Sequence, residues 1–142
     1  KSFNYLQLII IGDGEEKKVL EEKIIKHNLQ DKVFLIGYKK NVYKYYDKCL
    51  FFVLSSLWED PGFVLVEAAL SNLFIISSDC KNGPKEILLN GKGGFLFNSN
   101  EENALCNKLI DFVNSERDKK KLILVKKNIK KYGCLNILIH MA

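Results

Sequence analysis

Apolar residues fall in short runs separated by polar, glycine-bearing breaks, and the runs alternate between two periods. Leu6 and Leu8 to Ile11 form a nearly continuous apolar stretch that stops at Gly12-Asp13-Gly14, the form of a central parallel strand before a tight turn. From Glu15 to Asn28 the apolar positions Val19, Leu20, Ile24 and Ile25 recur at helical spacing among Lys and Glu, which predicts a helix with one buried stripe and one wet face. Val33-Phe34-Leu35-Ile36 reads as a second strand ended by Gly37, Val42 to Lys48 as two helical turns, and Leu50 to Leu54 as a third strand. A polar loop, Ser55 to Gly62, precedes a helix over Phe63 to Leu70, and Phe74 to Ser77 forms a fourth strand. Pro84 suits the first turn of a short helix reaching Leu89, because that turn has no intrahelical partner for an amide hydrogen. Gly94 to Phe97 is a fifth strand. Asn100 with Glu101 and Glu102 opens a helix to Asn114, and a last helix spans Glu116 to Tyr132 with Leu122, Val125, Ile129 and Tyr132 on one face.

Strands alternating with helices imply βαβ units with right-handed crossovers, hence an α/β fold with a doubly wound parallel sheet flanked by helices. In such sheets ligands bind beyond the carboxyl ends of the strands. The segments to search are therefore Gly12 to Gly14, Gly37 to Lys40, Ser55 to Gly62 and Ser77 to Gly83.

With 142 residues, 47% of them apolar, the chain suffices for one domain whose core needs no disulfide or metal staple. Apolar runs such as Leu50 to Leu54 are far below the roughly 20 residues needed to cross a bilayer, and Lys1 to Tyr5 carry no secretory signal. A cytoplasmic protein, or a piece of a longer one, is expected. Cys49, Cys80, Cys106 and Cys134 are widely spaced and only two histidines accompany them, so no metal site is expected and the thiols should be reduced and mostly buried. Charge is uneven: residues 115–142 hold eight basic and two acidic side chains, while residues 1–114 hold 14 and 15. The lysine-rich end reads as a solvated helix face or as an attraction for anionic lipid, and no nucleic-acid partner is assigned to it.

Among the loops, Gly12-Asp13-Gly14 supplies two glycines of a dinucleotide fingerprint, but the third position is Lys17 and no carboxylate follows the second strand, so that fingerprint fails. No P-loop pattern occurs. The Ser55 to Gly62 loop is different, because Glu59 and Glu67 stand eight residues apart across a loop-to-helix junction. Gly62 allows close backbone approach, and the amides of Phe63, Val64 and Leu65 at the start of a helix are ready donors for an anion. Glu67, one turn inside that helix and half buried against an apolar face, needs a partner such as a sugar hydroxyl to offset its burial. A helix-capping loop carboxylate followed by a surface Glu is the structural alternative.

The stretch from Glu59 to Glu67 resembles the E-x₇-E signature of the group 1 family of retaining glycosyltransferases with the GT-B fold. It is flanked in order by similar features: Leu8 to Gly14 resembles the family's strand ending in G-x-G, and Val33 to Tyr38 its strand ending in Gly-aromatic. Gly83-Pro84-Lys85-Glu86 followed by Gly91 to Leu96 resembles its late G-x-x-E…G…G-x-L stretch. The resemblance covers Leu6 to Tyr132 and implies the C-terminal, donor-binding, Rossmann-like half of a two-domain enzyme, excised from a longer chain and lacking its first strand.

Carried over by position, the resemblance makes Glu59 the catalytic residue that holds the donor sugar's hydroxyls and Glu67 the ribose clamp. The Val64 and Leu65 amides, beside Gly62 and Phe63, would receive the diphosphate, Gly12 would line the donor site, and Gly37 with Tyr38 would edge the base. It implies a nucleotide-sugar substrate such as a UDP- or GDP-sugar, no cofactor and no metal, and a bacterial polysaccharide-building reaction. The acceptor, a glycan or lipid-linked glycan, would bind the other half, and a peripheral position at the inner membrane face is compatible. The family's diphosphate-binding Arg and Lys would precede Lys1, and Asp60-Pro61 replaces the family's Gly-Phe, so Pro61 offers the sugar no amide hydrogen. A non-catalytic nucleotide-binding or interaction module of the same fold is the alternative function.

Overall fold

Five short strands alternate with six helices in the computed structural model, which describes residues 5–131. In order they are β1 (Leu8–Ile10), α1 (Lys17–Lys26), β2 (Val33–Leu35), α2 (Tyr43–Tyr46), β3 (Phe51–Leu54), α3 (Phe63–Leu70), β4 (Phe74–Ser78), α4 (Pro84–Ile87), β5 (Phe95–Phe97), α5 (Ala104–Asn114) and α6 (Lys119–Lys131). Every strand pair is parallel, as βαβ units require: β1 pairs with β2, and β4 lies between β3 and β5. The chain divides into two compact units, residues 1–44 and 45–142. Among the described residues no helix is long and apolar enough to cross a membrane.

In the first unit β1 and β2 run in register, Leu8 opposite Val33 and Ile10 opposite Leu35. The ladder ends where the Ile36 amide donates to the Ile10 carbonyl and the Gly12 amide to the Gly37 carbonyl. Helix α1 rests on β2, but its expected stripe is narrower than the sequence suggests. Leu20 and Ile24, four residues apart on one face, are half-buried, whereas Val19 and Ile25 are exposed. A two-stranded ribbon is too narrow to cover both flanks of a helix, and β1, which among the described residues is bonded to β2 alone, keeps Leu8 and Ile9 exposed instead of behaving as a central strand.

The second unit holds the core. Side chains alternate along a strand, so Phe51 and Val53 of β3, Phe74 and Ile76 of β4, and Phe95 and Phe97 of β5 share one face and close over Phe112 of α5. The Phe112 ring lies 5.0 Å from Phe51, 5.4 Å from Phe95 and 5.6 Å from Phe74 between centroids, distances at which aromatic pairs attract. Helix α3 has no residue in that cluster; it lies against β3 and β4 with Leu65, Val66, Ala68 and Ala69 buried. All five residues of β4 are buried, as a strand covered on both faces must be.

Several boundaries depart from expectation: α1 and α2 are shorter at both ends, α2 being a single turn, and three others have a local cause. Helix α5 starts at Ala104, because the Asn98 side chain accepts the Asn100 amide and donates to the Glu101 carboxylate, winding residues 98–101 into a turn of their own. Helix α4 ends at Ile87, where Leu89 and Asn90 take positive φ. Helix α6 begins at Lys119, after the Asp118 carboxylate accepts the Lys120 amide. Tyr132 and Cys134 lie outside the described residues. Of the other thiols, which are free, Cys80 is buried and Cys49 half-buried, with burial raising the Cys49 pKa; Cys106 is exposed on the outer side of α5, contrary to expectation.

Candidate active site

The polar loop after β3 is held by the turn after β4. Ser78 Oγ donates to the Ser56 carbonyl at 2.6 Å, Trp58 and Lys81 form a parallel bridge, and the Glu59 amide donates to the Lys81 carbonyl at 3.4 Å. At the far end of the loop, a Cβ on Gly83 would stand 1.9 Å from the Pro61 carbonyl oxygen, and Gly83 has φ +125°. Only glycine fits there, for space and for conformation. The Asp60-Pro61 peptide bond is cis.

Gly62 then turns the chain into α3 from the left-handed region, φ +81° and ψ +48°. A Cβ at Gly62 would meet the Glu59 side chain at 3.5–3.6 Å, so the Glu59 carboxylate folds back over the start of α3. The left-handed residue also tightens the first turn: the Leu65 amide donates to the Gly62 carbonyl at 3.0 Å. Leu65, expected to offer a free donor, is therefore committed inside the helix and wholly buried. The amides of Phe63 and Val64 carry no hydrogen bond among the described residues, and both side chains are exposed. Two free donors at the positive end of a helix dipole form a seat for an anion.

Glu67 sits one turn further into α3, roughly 6 Å along the axis at 1.5 Å per residue. It is half-buried between the buried Val66 and Ala68, and among the described residues its carboxylate has neither hydrogen bond nor ion pair. Burial lifts its pKa above the ordinary glutamate value, since desolvation disfavours the charged form. A carboxylate kept partly dry without a protein partner is available to a ligand's hydroxyl groups.

Nearby, Asp79 at the end of β4 accepts the Ser99 amide at 3.2 Å and pairs with Lys85 of α4 at 3.2 Å. The Ser99 hydrogen bond above all holds its carboxyl below the usual range; burial, the next effect in size, opposes it, and Lys85 adds to the lowering. This junction was not legible in the sequence, because its members lie 6 and 20 residues apart in three different segments.

Gly12, Gly37 and Tyr38 belong to the first unit. Gly12 (φ +141°) and Gly37 (φ +68°) are joined by the 3.1 Å hydrogen bond that closes the β1–β2 ladder, and Tyr38 is 73% exposed. Lys17, which occupies the third position of the failed fingerprint, pairs with Asp13 at 3.3 Å. A shallow cavity of about 190 Å³ opens between the Gly12 to Gly14 turn, Lys17 and Leu20.

The family model for glycosyl transferases group 1 matches residues 1–131. A glycosyltransferase of Methanocaldococcus jannaschii is 51% identical over 82 residues, 58% of this chain and 20% of its own length. The N-acetylgalactosamine-N,N'-diacetylbacillosaminyl-diphospho-undecaprenol 4-alpha-N-acetylgalactosaminyltransferase of Campylobacter jejuni is 35% identical over 100 residues, 70% of this chain and 27% of its own. A crystal structure of a Staphylococcus aureus TarM variant with fondaparinux, alpha-GlcNAc-glycerol and UDP matches 91% of this chain and 26% of that one, with a TM-score of 0.80 and 26% identity. The chain thus spans between a fifth and about a quarter of the length of the two curated relatives.

Proposed function

The chain belongs to the glycosyl transferases group 1, and from that membership we propose that it is the donor-binding part of an enzyme that moves a sugar from a nucleoside diphosphate to a glycan or lipid-linked acceptor. Its fold is the Rossmann-like fold of the GT-B glycosyltransferases. The observation that carries the proposal is the order at the start of α3: Glu59 over Gly62, then the Phe63 and Val64 amides and, one turn on, the Glu67 carboxylate, none of which has a hydrogen-bond partner among the described residues. A nucleotide-sugar has hydroxyls, a diphosphate and a ribose in that same order.

In this mechanism the Phe63 and Val64 amides, with the helix dipole, receive the diphosphate and stabilise the charge it gains as it leaves. Glu67 accepts hydrogen bonds from the ribose hydroxyls, and Glu59 from hydroxyls of the donor sugar. By the family resemblance alone, Gly12 is assigned to the donor and Gly37 with Tyr38 to the edge of the base. The bond from the anomeric carbon to the diphosphate oxygen breaks, an acceptor oxygen forms the new bond on the same face, and the acceptor proton leaves with the diphosphate. No metal takes part. The UDP bound by the TarM variant supports a uridine nucleotide as donor, and the diphospho-undecaprenol named for the Campylobacter relative supports a lipid-linked acceptor.

We place the intact enzyme in the cytoplasm, touching the inner membrane face peripherally. Support comes from α6, whose outer face exposes Lys119, Lys120, Lys127, Lys130 and Lys131 around Ile123 and Leu124, a pattern suited to anionic headgroups. The reaction is tested by incubating the full-length protein with UDP- and GDP-sugars and an acceptor in the presence of a metal chelator. Nucleoside diphosphate release and a product with the donor's anomeric configuration by NMR are expected. Transfer that needs a divalent cation, or that inverts the configuration, overturns the mechanism.

A further inference from the structure

Helix α6 grips the end of α4 and the segment that joins it to β5 through one face. Asn128, a polar residue within the buried stripe of Val125 and Ile129, is 6% exposed, and its Nδ2 donates to the Glu86 carbonyl at 2.8 Å and the Ile87 carbonyl at 3.1 Å. Seven residues earlier on that face, Lys121 Nζ donates to the Gly91 carbonyl at 2.9 Å and lies 4.9 Å from the Phe95 ring centroid. Between them Val125 packs so closely on Gly93 that a Cβ there would be 3.0 Å from its own Cβ. Three residues at i, i+4 and i+7 thus fasten residues 86–94 to α6.

The fastened segment is hydrogen-bonded directly to Gly83. The Ile87 amide donates to the Gly83 carbonyl at 2.8 Å and the Leu88 amide to that of Pro84 at 2.9 Å, so the single turn of α4 moves with Gly83. Gly83 in turn lies against the Pro61 carbonyl with no spare room. A displacement of α4 must therefore shift Pro61, and with it the loop that carries Glu59. We propose that Asn128 is a positioning residue of the transfer reaction: by capping the last carbonyls of α4 it sets where the Glu59 loop stands. This inference rests on the donor-site role given to Glu59 above.

A cap that only stabilised the fold would give a different pattern from one that positions the loop. In the full-length protein, Asn128→Leu removes the donor at similar size, and Asn128→Asp replaces it with a carboxylate that repels the carbonyls. Hydrogen exchange in peptides covering residues 56–62 should accelerate in both variants while peptides of α5 keep their wild-type rates, since local opening is separable from global unfolding. With a sugar donor, kcat should fall about tenfold or more while affinity for the bare nucleoside diphosphate stays within about threefold, a split that marks lost transition-state contacts instead of lost binding. Uniformly faster exchange including α5, unchanged exchange at 56–62, or a proportional loss of kcat and affinity overturns the positioning role. If the exchange pattern is found but wild-type protein transfers no sugar, the coupling of Asn128 to the loop holds and the transferase reading fails.

Discussion

The α-carbon of Gly83 and the carbonyl oxygen of Pro61 meet so closely that a methyl group on Gly83 would stand 1.9 Å from that oxygen. Two loops that follow neighbouring parallel strands are thereby locked together at the foot of α3. Gly83→Ala must push Pro61 and its loop away, and the new side chain also strains a φ of +125°. The full-length variant should lose roughly 1–3 kcal/mol of stability and most of its transfer activity. Denaturant unfolding and steady-state kinetics read both, and wild-type kcat would show that the Glu59 loop tolerates displacement.

Glu59→Ala separates sugar from nucleotide. Glu59 lies over the first turn of α3, before the unpaired amides, so its loss should lower turnover with the sugar donor and leave affinity for the bare nucleoside diphosphate nearly unchanged. Parallel titrations with donor and diphosphate measure this. An equal loss for both ligands would move Glu59 into the nucleotide site.

Glu67 carries a stability cost that can be measured without a ligand. Its folded pKa is raised by burial, so between the unfolded and folded values the native state binds the extra proton and stability falls as pH rises through that window. Above it the ionised form is the less stable one. Glu67→Gln should therefore keep or raise the thermal midpoint of the ligand-free protein at pH 7, with the advantage shrinking as pH drops through the window. A lower midpoint at pH 7 would mean that the carboxylate has a stabilising partner.

Phe112 is the ring on which all three strands of the second unit converge. Phe112→Ala removes its contacts with Phe51, Phe74 and Phe95 together and should destabilise the protein by about 3–5 kcal/mol, the usual range for a buried Phe. Chemical denaturation checks the value, and a change below about 1 kcal/mol would place the core elsewhere.

The basic face of α6 predicts salt-sensitive adhesion. The full-length protein should sediment with anionic vesicles at low ionic strength and be released near 0.5 M salt, where the screening length is about 4 Å. Replacing Lys127, Lys130 and Lys131 by Glu should abolish sedimentation. Equal binding to neutral vesicles, or none to anionic ones, would leave this face merely solvated.

What the sequence disclosed follows from the range of each interaction. Strand and helix order was legible because Phe74 to Ser77 or Leu6 to Ile11 declare themselves by local apolar pattern, and the carboxylates at 59 and 67 by spacing across one junction. Covering neighbours are not local, so the exposure of Val19, Ile25, Leu8 and Ile9 was misread from the same pattern. The commitment of the Leu65 amide depends on the left-handed turn at Gly62. The need for glycine at position 83 depends on Pro61, 22 residues earlier. Asn128 gave one unused signal, a polar residue at the i+3 position from Val125 in an otherwise apolar stripe, and its partners are more than 40 residues away.

The proposed reaction depends on Glu67 clamping the ribose of a nucleoside diphosphate seated on α3. Calorimetric titration of UDP and GDP into the full-length protein, with a metal chelator present, tests it most directly. Wild-type protein should bind one of the two saturably, and Glu67→Ala should weaken that binding by about 1.5–3 kcal/mol, the range for hydrogen bonds to a charged group. Equal affinity of wild type and variant, or no binding of either nucleotide to the wild type, would contradict the account.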